Sequence, residues 1–550
     1  MLPSRLSRFT FAFTLAVPLV IFAAEEVDLS IVNRIKTEAF TSSKVMDDMF
    51  YLTDVYGPRL TGSPNFKAAG DWVVGRLKEY GLTNVKEEKW GPFGRGWANK
   101  HFEASMVEPQ YAALIGVPLA WTASTPGTVS GSPVIVNIRS ENDFDRYRGK
   151  LKGKVVMTQP AKSIEMETAP LGRRYTDAEL AAEAQAPEPG PSRLAFGPRR
   201  NIPGIDPNAS PEERRRAMEQ QRHFREKVAD FLREEGAIVQ ISYGYNGDGG
   251  TVFAQSGGGY DPKKPVSMPA VALTPEHYNR IARLMEHNIP VKLAFNIQNE
   301  IVDQNQDSFN VVGEIPGTDK SDEIVMLGAH LDSWHGGTGA TDNAAGSAVA
   351  IEAVRILKAL NVPMRRTVRI ALWGGEEEGL LGSKAYVKEH FADPETMHPT
   401  AEHAKVSGYF NYDNGTGKIR GIYLQGNDMV RPIFEAWLQP FHDLGAATAT
   451  IRTTGSTDHV SFDNVGIPGF QFIQDPIEYS TRTHHSNMDL YDHIQPGDLM
   501  QASAIMASFV YNTATRPEML PRKPLPKPQP HRENRDNRNT TQERSTNTGG

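Results

Sequence analysis

EIVMLGAHLDSWHGGTGATDNAAGSAVAIEAVRILKAL, residues 323–360, holds the organisation of the chain in miniature. Residues 324–329 form an unbroken apolar run, which reads as a strand covered on both faces. A polar, glycine-rich turn follows, and then apolar residues recur every three to four positions, the period of a helix. The same alternation continues downstream. TVRIALWGG (367–375), VSGYFNYDNG (406–415) and FQFIQD (470–475) read as strands, and GSKAYVKEHF (382–391) reads as a helix, with further units to about Tyr511. Strands of this kind between amphipathic helices predict an α/β fold: a mixed, mostly parallel central sheet flanked by helices. In such sheets ligands bind beyond the carboxyl ends of the strands, so polar residues there are the functional candidates.

Upstream of this region the texture changes twice. Residues 25–101 begin with helical patterns, VMDDMFYLTDVYG and FKAAGDWVVGRLKEYGL, and pass into the short polar strand NVKEEKW; they are expected to belong with 292–515 in one catalytic domain. Residues 102–291 carry short strands, SPVIVNI, KGKVVMTQ and GAIVQISY, broken by Gly and Pro, with one clear helix, HFREKVADFLREEG. They predict a separate β-rich insert. Inside it nine prolines fall between 160 and 211 beside the charged run PEERRRAMEQQ, so this stretch reads as a solvated excursion with little core. Residues 516–550 are poor in apolar side chains and read as a disordered tail. At the other end Arg5 and Arg8 precede an uncharged apolar run over 9–24, followed by Glu25, Glu26 and Asp28, the pattern of a secretory signal peptide over 1–24.

Composition narrows the functional classes. With 550 residues, 39% hydrophobic, the chain has material for a large core and more than one domain. A formal net charge of −7 offers no basic excess for nucleic acid, and no stretch beyond the signal peptide has the length of a membrane span. There is no cysteine, which removes disulfides, thiolate nucleophiles and lipoprotein anchoring, and leaves His, Asp and Glu as metal ligands.

Those residues collect at strand ends. His330, Asp332 and Asp342 share the first glycine-rich turn, although Asp342 could serve only as a helix N-cap. Glu376, Glu377 and Glu378 follow the second strand. Three adjacent carboxylates repel one another unless a cation compensates, and one can ligate while a neighbour takes a proton from bound water; the competing reading is a solvated helix start. Asp413 ends the third strand, and His484 and His485 sit in a polar loop after the last. His330, Asp342, Glu377, Asp413 and His485 together suit two zinc ions, each with one His and one terminal carboxylate and with Asp342 between them. Two close metals acidify water and stabilise the charge of a tetrahedral transition state, which is hydrolytic chemistry.

His-x-Asp, Gly-Ala-x-Asp-Asn, Glu-Glu-x-Gly-Leu-x-Gly-Ser, a strand-end Asp and His-x-x-x-Asp, in this order, resemble the co-catalytic di-zinc exopeptidases of the zinc aminopeptidase type. GPRLTGS (57–63), DSFNVVGEIPG (307–317), GIPGFQF (466–472) and EMLPR (518–522) resemble the carboxypeptidase Q branch of that family. The resemblance implies an exopeptidase acting on short peptides or dipeptides through water activated on two zinc ions, and the signal-peptide pattern makes it secreted or periplasmic. It implies that His330 and Asp413 hold one ion, Glu377 and His485 the other, and Asp342 both. Asp332 would buttress His330 and Glu376 would be the general base. His484 and Asp458, the latter beside His459, become substrate or oxyanion candidates, and Arg482 could pair with a substrate carboxylate. The family also carries a cis peptide after the shared aspartate, here Asp342 to Asn343, and places a protease-associated domain where this chain has its insert. The partners expected are the peptide substrate and, as an assembly, a homodimer. The alternative reading is a non-catalytic receptor or binding protein on the same fold.

Overall fold

Successive residues of the strand that begins the quoted stretch face opposite cores. Val325 and Leu327 are buried on one side and Met326 on the other, all at 0% exposure, so the continuous apolar run is what covering both faces requires. The chain is described by a computed structural model over residues 25–189, 206, 209–244, 246–303 and 307–528. The expected signal peptide and the tail beyond 528 lie outside the described residues, as does much of 190–208.

Eight strands make the central sheet: β1 (Thr83–Trp90), β2 (Ser308–Ile315), β3 (Lys320–His330), β4 (Arg366–Trp373), β5 (Val406–Asn411), β6 (Ile419–Tyr423), β7 (Thr448–Thr450) and β8 (Gly469–Gln474). Across the sheet their order is β1-β2-β4-β3-β5-β8-β6-β7. The middle strands β4, β3, β5 and β8 run parallel to one another, and β6 runs parallel to β7. Antiparallel pairings attach β1 to β2, β2 to β4 and β6 to β8. This is the mixed, mostly parallel α/β sheet expected.

Helices cover both faces. On one, α3 (Ala345–Leu360) and α5 (Pro496–Thr515) bury Val349, Ile356, Ile505 and Phe509 against the sheet, and α1 (Leu29–Thr41) packs Val32 and Ile35 onto those two helices. Each such side chain contributes about 1.5–3 kcal/mol by leaving water. α3 and α5 are apolar nearly all round because they are packed between the sheet and other helices. α2 (Pro64–Glu79) starts where Ser63 accepts a hydrogen bond from the Phe66 N–H at 3.1 Å, with Pro64 in its first turn. On the opposite face α4 (Leu381–His390) and the turn His459–Asp463 pack Tyr386, Val387 and Phe462 over Trp373 and Tyr409.

Between β1 and β2 the chain builds a second body. Strands Gly96–Glu108 and Lys292–Val302 pair antiparallel along their length, straddling the limits of 102 and 291 expected for the insert. A five-stranded sheet adds Gly116–Pro118, Pro133–Ile135, Val155–Met157, Val239–Tyr243 and Ala270–Leu273. Three expectations here need correction. The charged run after Pro211 is the first half of one helix, Pro211–Glu234, whose Ser210 cap and Glu213 reciprocate in a capping box. Residues 171–185 are a strap on the first body: Arg174 pairs with Asp475 at 2.9 Å and Asp498 at 2.7 Å, and Thr450 Oγ1 donates to the Glu183 carbonyl at 2.6 Å. The tail is ordered through 528, because Leu520 is buried and Lys523 pairs with Asp463 at 2.6 Å. Among the described residues, no helix is long and apolar enough to cross a membrane.

Candidate metal centre

The turn after β3 is shaped by a buried cation. Arg59, fully buried, donates through Nε to the Leu331 carbonyl at 2.7 Å and through Nη1 and Nη2 to Thr338 and Gly339 at 2.9 Å each. Burial pulls its guanidinium down to about 10, against the pull of the neighbouring carboxylates. Gly339 takes φ +68°, and a Cβ there would stand 2.3 Å from Ser333, so both backbone angle and space call for glycine. From the far side of the turn Asp489 accepts the N–H groups of Thr341 at 2.6 Å and Asp342 at 3.2 Å.

These constraints aim Asp342 at two histidines. Its Oδ1 lies 3.3 Å from His330 Nε2, and its Oδ2 lies 3.1 Å from His485 Nε2. Asp413 Oδ1 completes the first group at 3.5 Å from His330 Nε2, and Glu377 Oε2 stands 2.9 Å from His485 Nε2 in the second. His484 joins that second group, 3.6 Å from Asp342 Oδ2, with its ring 3.7 Å from that of His485. His330, Asp342 and Asp413, and separately Asp342, His484 and His485, are close enough to share an ion. Asp342 makes no side-chain cap, and the helix begins only at Ala345, so the N-cap reading does not hold. The Asp342–Asn343 peptide is cis.

The electrostatics of the cluster call for positive charge. His330 is held well above its ordinary range; burial opposes this, but Asp413, Glu376 and Asp342 outweigh it. Asp342 is held well below the carboxylate range, because the imidazoles of His330 and His485 that face it overcome its burial. Burial pushes Glu377 up to about 7 and Glu376 well above its usual range. His330 Nε2, Asp342 Oδ2 and Glu377 Oε1 are buried without a hydrogen bond of proper geometry. Converging His and carboxylate donors left unsatisfied by protein are the donor set zinc accepts.

Other expected residues fall differently. The Asp332 carboxylate lies 3.8 Å from His330 Nδ1, which is hydrogen-bonded instead to the Asp332 main-chain carbonyl at 3.0 Å. That carboxylate accepts the N–H groups of Glu376 and Glu377, each at 3.2 Å, and the Thr61 hydroxyl at 3.1 Å. Glu376 Oε2 is 4.0 Å from His330 Nε2, and the glutamates form a tight turn rather than a helix start, since Gly379 N–H donates to the Glu376 carbonyl. Asp458 is buried nearby and pushed up to about 7 by burial. His459 turns away, its Nε2 against the Gln425 amide and the Thr454 carbonyl. Arg482 is pinned to Asp248 at 3.0 Å and Thr251 at 2.6 Å of the second body, which removes it as a ready partner for a substrate carboxylate. Arg59, Thr61 and Asp489 lie inside the quoted motifs, but their contacts had no signal in the sequence.

Residues 310–510 match Peptidase family M28. Carboxypeptidase Q of Bos taurus is 26% identical over 479 residues, spanning 86% of this chain and 85% of that protein. Aminopeptidase YwaD of Bacillus subtilis is 31% identical over 264 residues, 47% of this chain and 54% of that protein. Among solved structures, a peptidase M28 precursor from Shewanella amazonensis superposes with a TM-score of 0.62 at 25% identity, covering 90% of this chain and 98% of that one. The matched residues run from β2 into α5 and contain every one of the clustered His, Asp and Glu side chains, and the likeness to carboxypeptidase Q extends through the second body as well. The chain is a metallo-exopeptidase that resembles carboxypeptidase Q.

Proposed function

We propose that this protein is a secreted exopeptidase that hydrolyses short peptides or dipeptides at a pair of zinc ions, with Glu376 as general base. The observation that carries the reading is the division of Asp342, one carboxylate oxygen toward His330 and the other toward His485. His330 and Asp413 would hold one ion, Glu377 and His485 the other, and Asp342 both. Bound zinc supplies Lewis acidity toward the scissile carbonyl and lowers the pKa of water at neutral pH. The chain does the rest. Glu376, its Oε2 4.0 Å from His330 Nε2, is placed to take a proton from the attacking water and return it to the leaving amine. Asp332 sets the Glu376–Glu377 backbone, and Arg59 and Asp489 set the turn that carries Asp342. His484 and Asp458 are the groups assigned to orient the substrate, and the second body, a protease-associated-type domain, walls the site against longer chains.

The test is zinc stoichiometry on the purified mature protein, paired with hydrolysis of an unblocked dipeptide and of its N-blocked and C-blocked forms. About two zinc ions per chain, with Glu376→Gln keeping them and losing roughly 10²–10⁴-fold in kcat, is the expected result. The blocked peptides assign amino- or carboxy-terminal specificity. Less than one ion per chain together with no cleavage would refute the proposal.

A further inference from the structure

The His485 loop is held from outside its own domain. Ala254 N–H donates to the His485 carbonyl at 3.1 Å, and Asn487 N–H donates to the Val252 carbonyl at 3.0 Å. The Asn487 side chain accepts the Val252 N–H at 2.7 Å, and Phe253 forms a one-residue antiparallel bridge with Ser486. Residues 252–255 of the second body thus splint residues 485–487 of the first. His485 itself has φ +62°, a left-handed backbone that side chains with a Cβ disfavour.

One side chain of that splint reaches the ring. The Gln255 carboxamide nitrogen lies 3.0 Å from His485 Nδ1, on the edge opposite the Nε2 that faces Asp342 and Glu377. Gln255 is anchored in turn through its backbone, its main-chain carbonyl accepting the Ala120 N–H at 3.1 Å. A histidine that offers its Nε2 lone pair to a cation carries its proton on Nδ1 and needs an acceptor there. His330 has such an acceptor in the Asp332 carbonyl, at 3.0 Å. For His485 the equivalent acceptor is within reach: a half-turn of the Gln255 amide brings its oxygen to the place where its nitrogen now faces Nδ1.

We propose that Gln255 is a positioning residue for the metal centre: its carboxamide oxygen accepts the Nδ1–H of His485 and aims Nε2 at the cation, so the second body completes a site whose ligands all lie on the first. This rests on the reading that His485 binds zinc. The second body is then part of the metal centre as well as a wall around it.

The test is zinc titration of the full mature chain against a chromophoric chelator, for wild type, Gln255→Met and Gln255→Glu. Met keeps the length of the side chain and removes the acceptor. Glu keeps an acceptor and adds charge. Gln255→Met should weaken one of the two zinc sites by about 10–100-fold and leave the other unchanged, while Gln255→Glu should bind as tightly as wild type or tighter. Two wild-type sites with Gln255→Met indistinguishable from them would overturn this proposal alone. Should Gln255→Met not fold, Gln255→Glu decides: a tenfold loss there overturns the proposal equally. Wild-type protein that binds no zinc would overturn both this inference and the reading beneath it.

Discussion

Replacing Asp332 by Asn separates two accounts of that carboxylate. If it buttressed His330, the substitution would loosen the ion held by His330 and Asp413. The structure gives that support to the Asp332 main-chain carbonyl, which Asn retains, and gives the carboxylate to the backbone N–H groups of Glu376 and Glu377. In Asp332→Asn one acceptor oxygen becomes an NH₂ group facing an N–H. One charge-assisted hydrogen bond is lost, about 1.5–3 kcal/mol, and two donors are set against each other. If that energy appears at the turn, it corresponds to roughly 10–100-fold at 1.4 kcal/mol per decade. The expected outcome is a loss of this size in kcat and in the zinc affinity of the Glu377–His485 site, with the His330–Asp413 site within about threefold of wild type by the same scale. Competition titrations in His330→Ala and His485→Ala backgrounds isolate the two sites. Selective weakening of the His330–Asp413 site, with kcat and the other site intact, would refute the reasoning.

Three further outcomes are expected. Arg59→Met leaves the carbonyls of Leu52, Leu331, Thr338 and Gly339 without their buried donor; it should cost about 3–5 kcal/mol of stability, and a denaturation midpoint equal to wild type would count against the role given to it. His459 and His335 are both pulled down to about 4 by burial, whereas an unfolded histidine titrates near 6.5. Between those values only the unfolded chain binds the protons, so stability should fall as pH drops from about 6.5 to about 4, by on the order of 3 kcal/mol per histidine. In Gln-substituted His459 the slope of urea midpoint against pH should be shallower, and an unchanged slope would contradict the assignment. Arg174→Ala removes the ties to Asp475 and Asp498; because the arginine is partly exposed, a loss of about 1 kcal/mol is expected, read as a several-fold faster proteolytic cut within 160–189, and equal cutting rates would argue that the strap is held elsewhere.

How much of this was legible depends on how far apart the partners lie in sequence. β3, α3 and β4 announce themselves because both of their faces are buried, and continuous apolar runs have no other soluble use. The clustered His and carboxylate residues were legible because a parallel sheet delivers its strand ends to one edge, so neighbours in the site recur at the same place in each unit. Arg59 was not, since three of the four carbonyls it holds lie 272–280 residues away and carbonyls leave no mark in a sequence. Gln255 was hidden for the same reason, 230 residues from His485. The first half of helix Pro211–Glu234 shows no helical apolar period because its side chains are mostly charged or polar, yet Ser210-x-x-Glu213 is a capping box that local rules could have found. The strap and the tail to 528 hold by ion pairs and one or two buried side chains, too few to produce a hydrophobic pattern.

The paired strands that lead into and out of the second body bear on how the first one folds. Trp90 stands opposite Ser308 at the edge of the central sheet, and Gly96 stands opposite Val302 just beyond it. β1 and β2 therefore form a hairpin whose turn is an entire folded body. In an unfolded chain, closing that hairpin means bringing together ends separated by roughly two hundred residues. Once the second body has folded, its own ladder holds those ends side by side and the loop left to close is about ten residues. Because closure entropy grows as the logarithm of loop length, the difference is about 2–3 kcal/mol. The second body thus acts on the first as an internal cross-link without a covalent bond, and unfolding it would lengthen the loop that the edge strand of the catalytic sheet has to close.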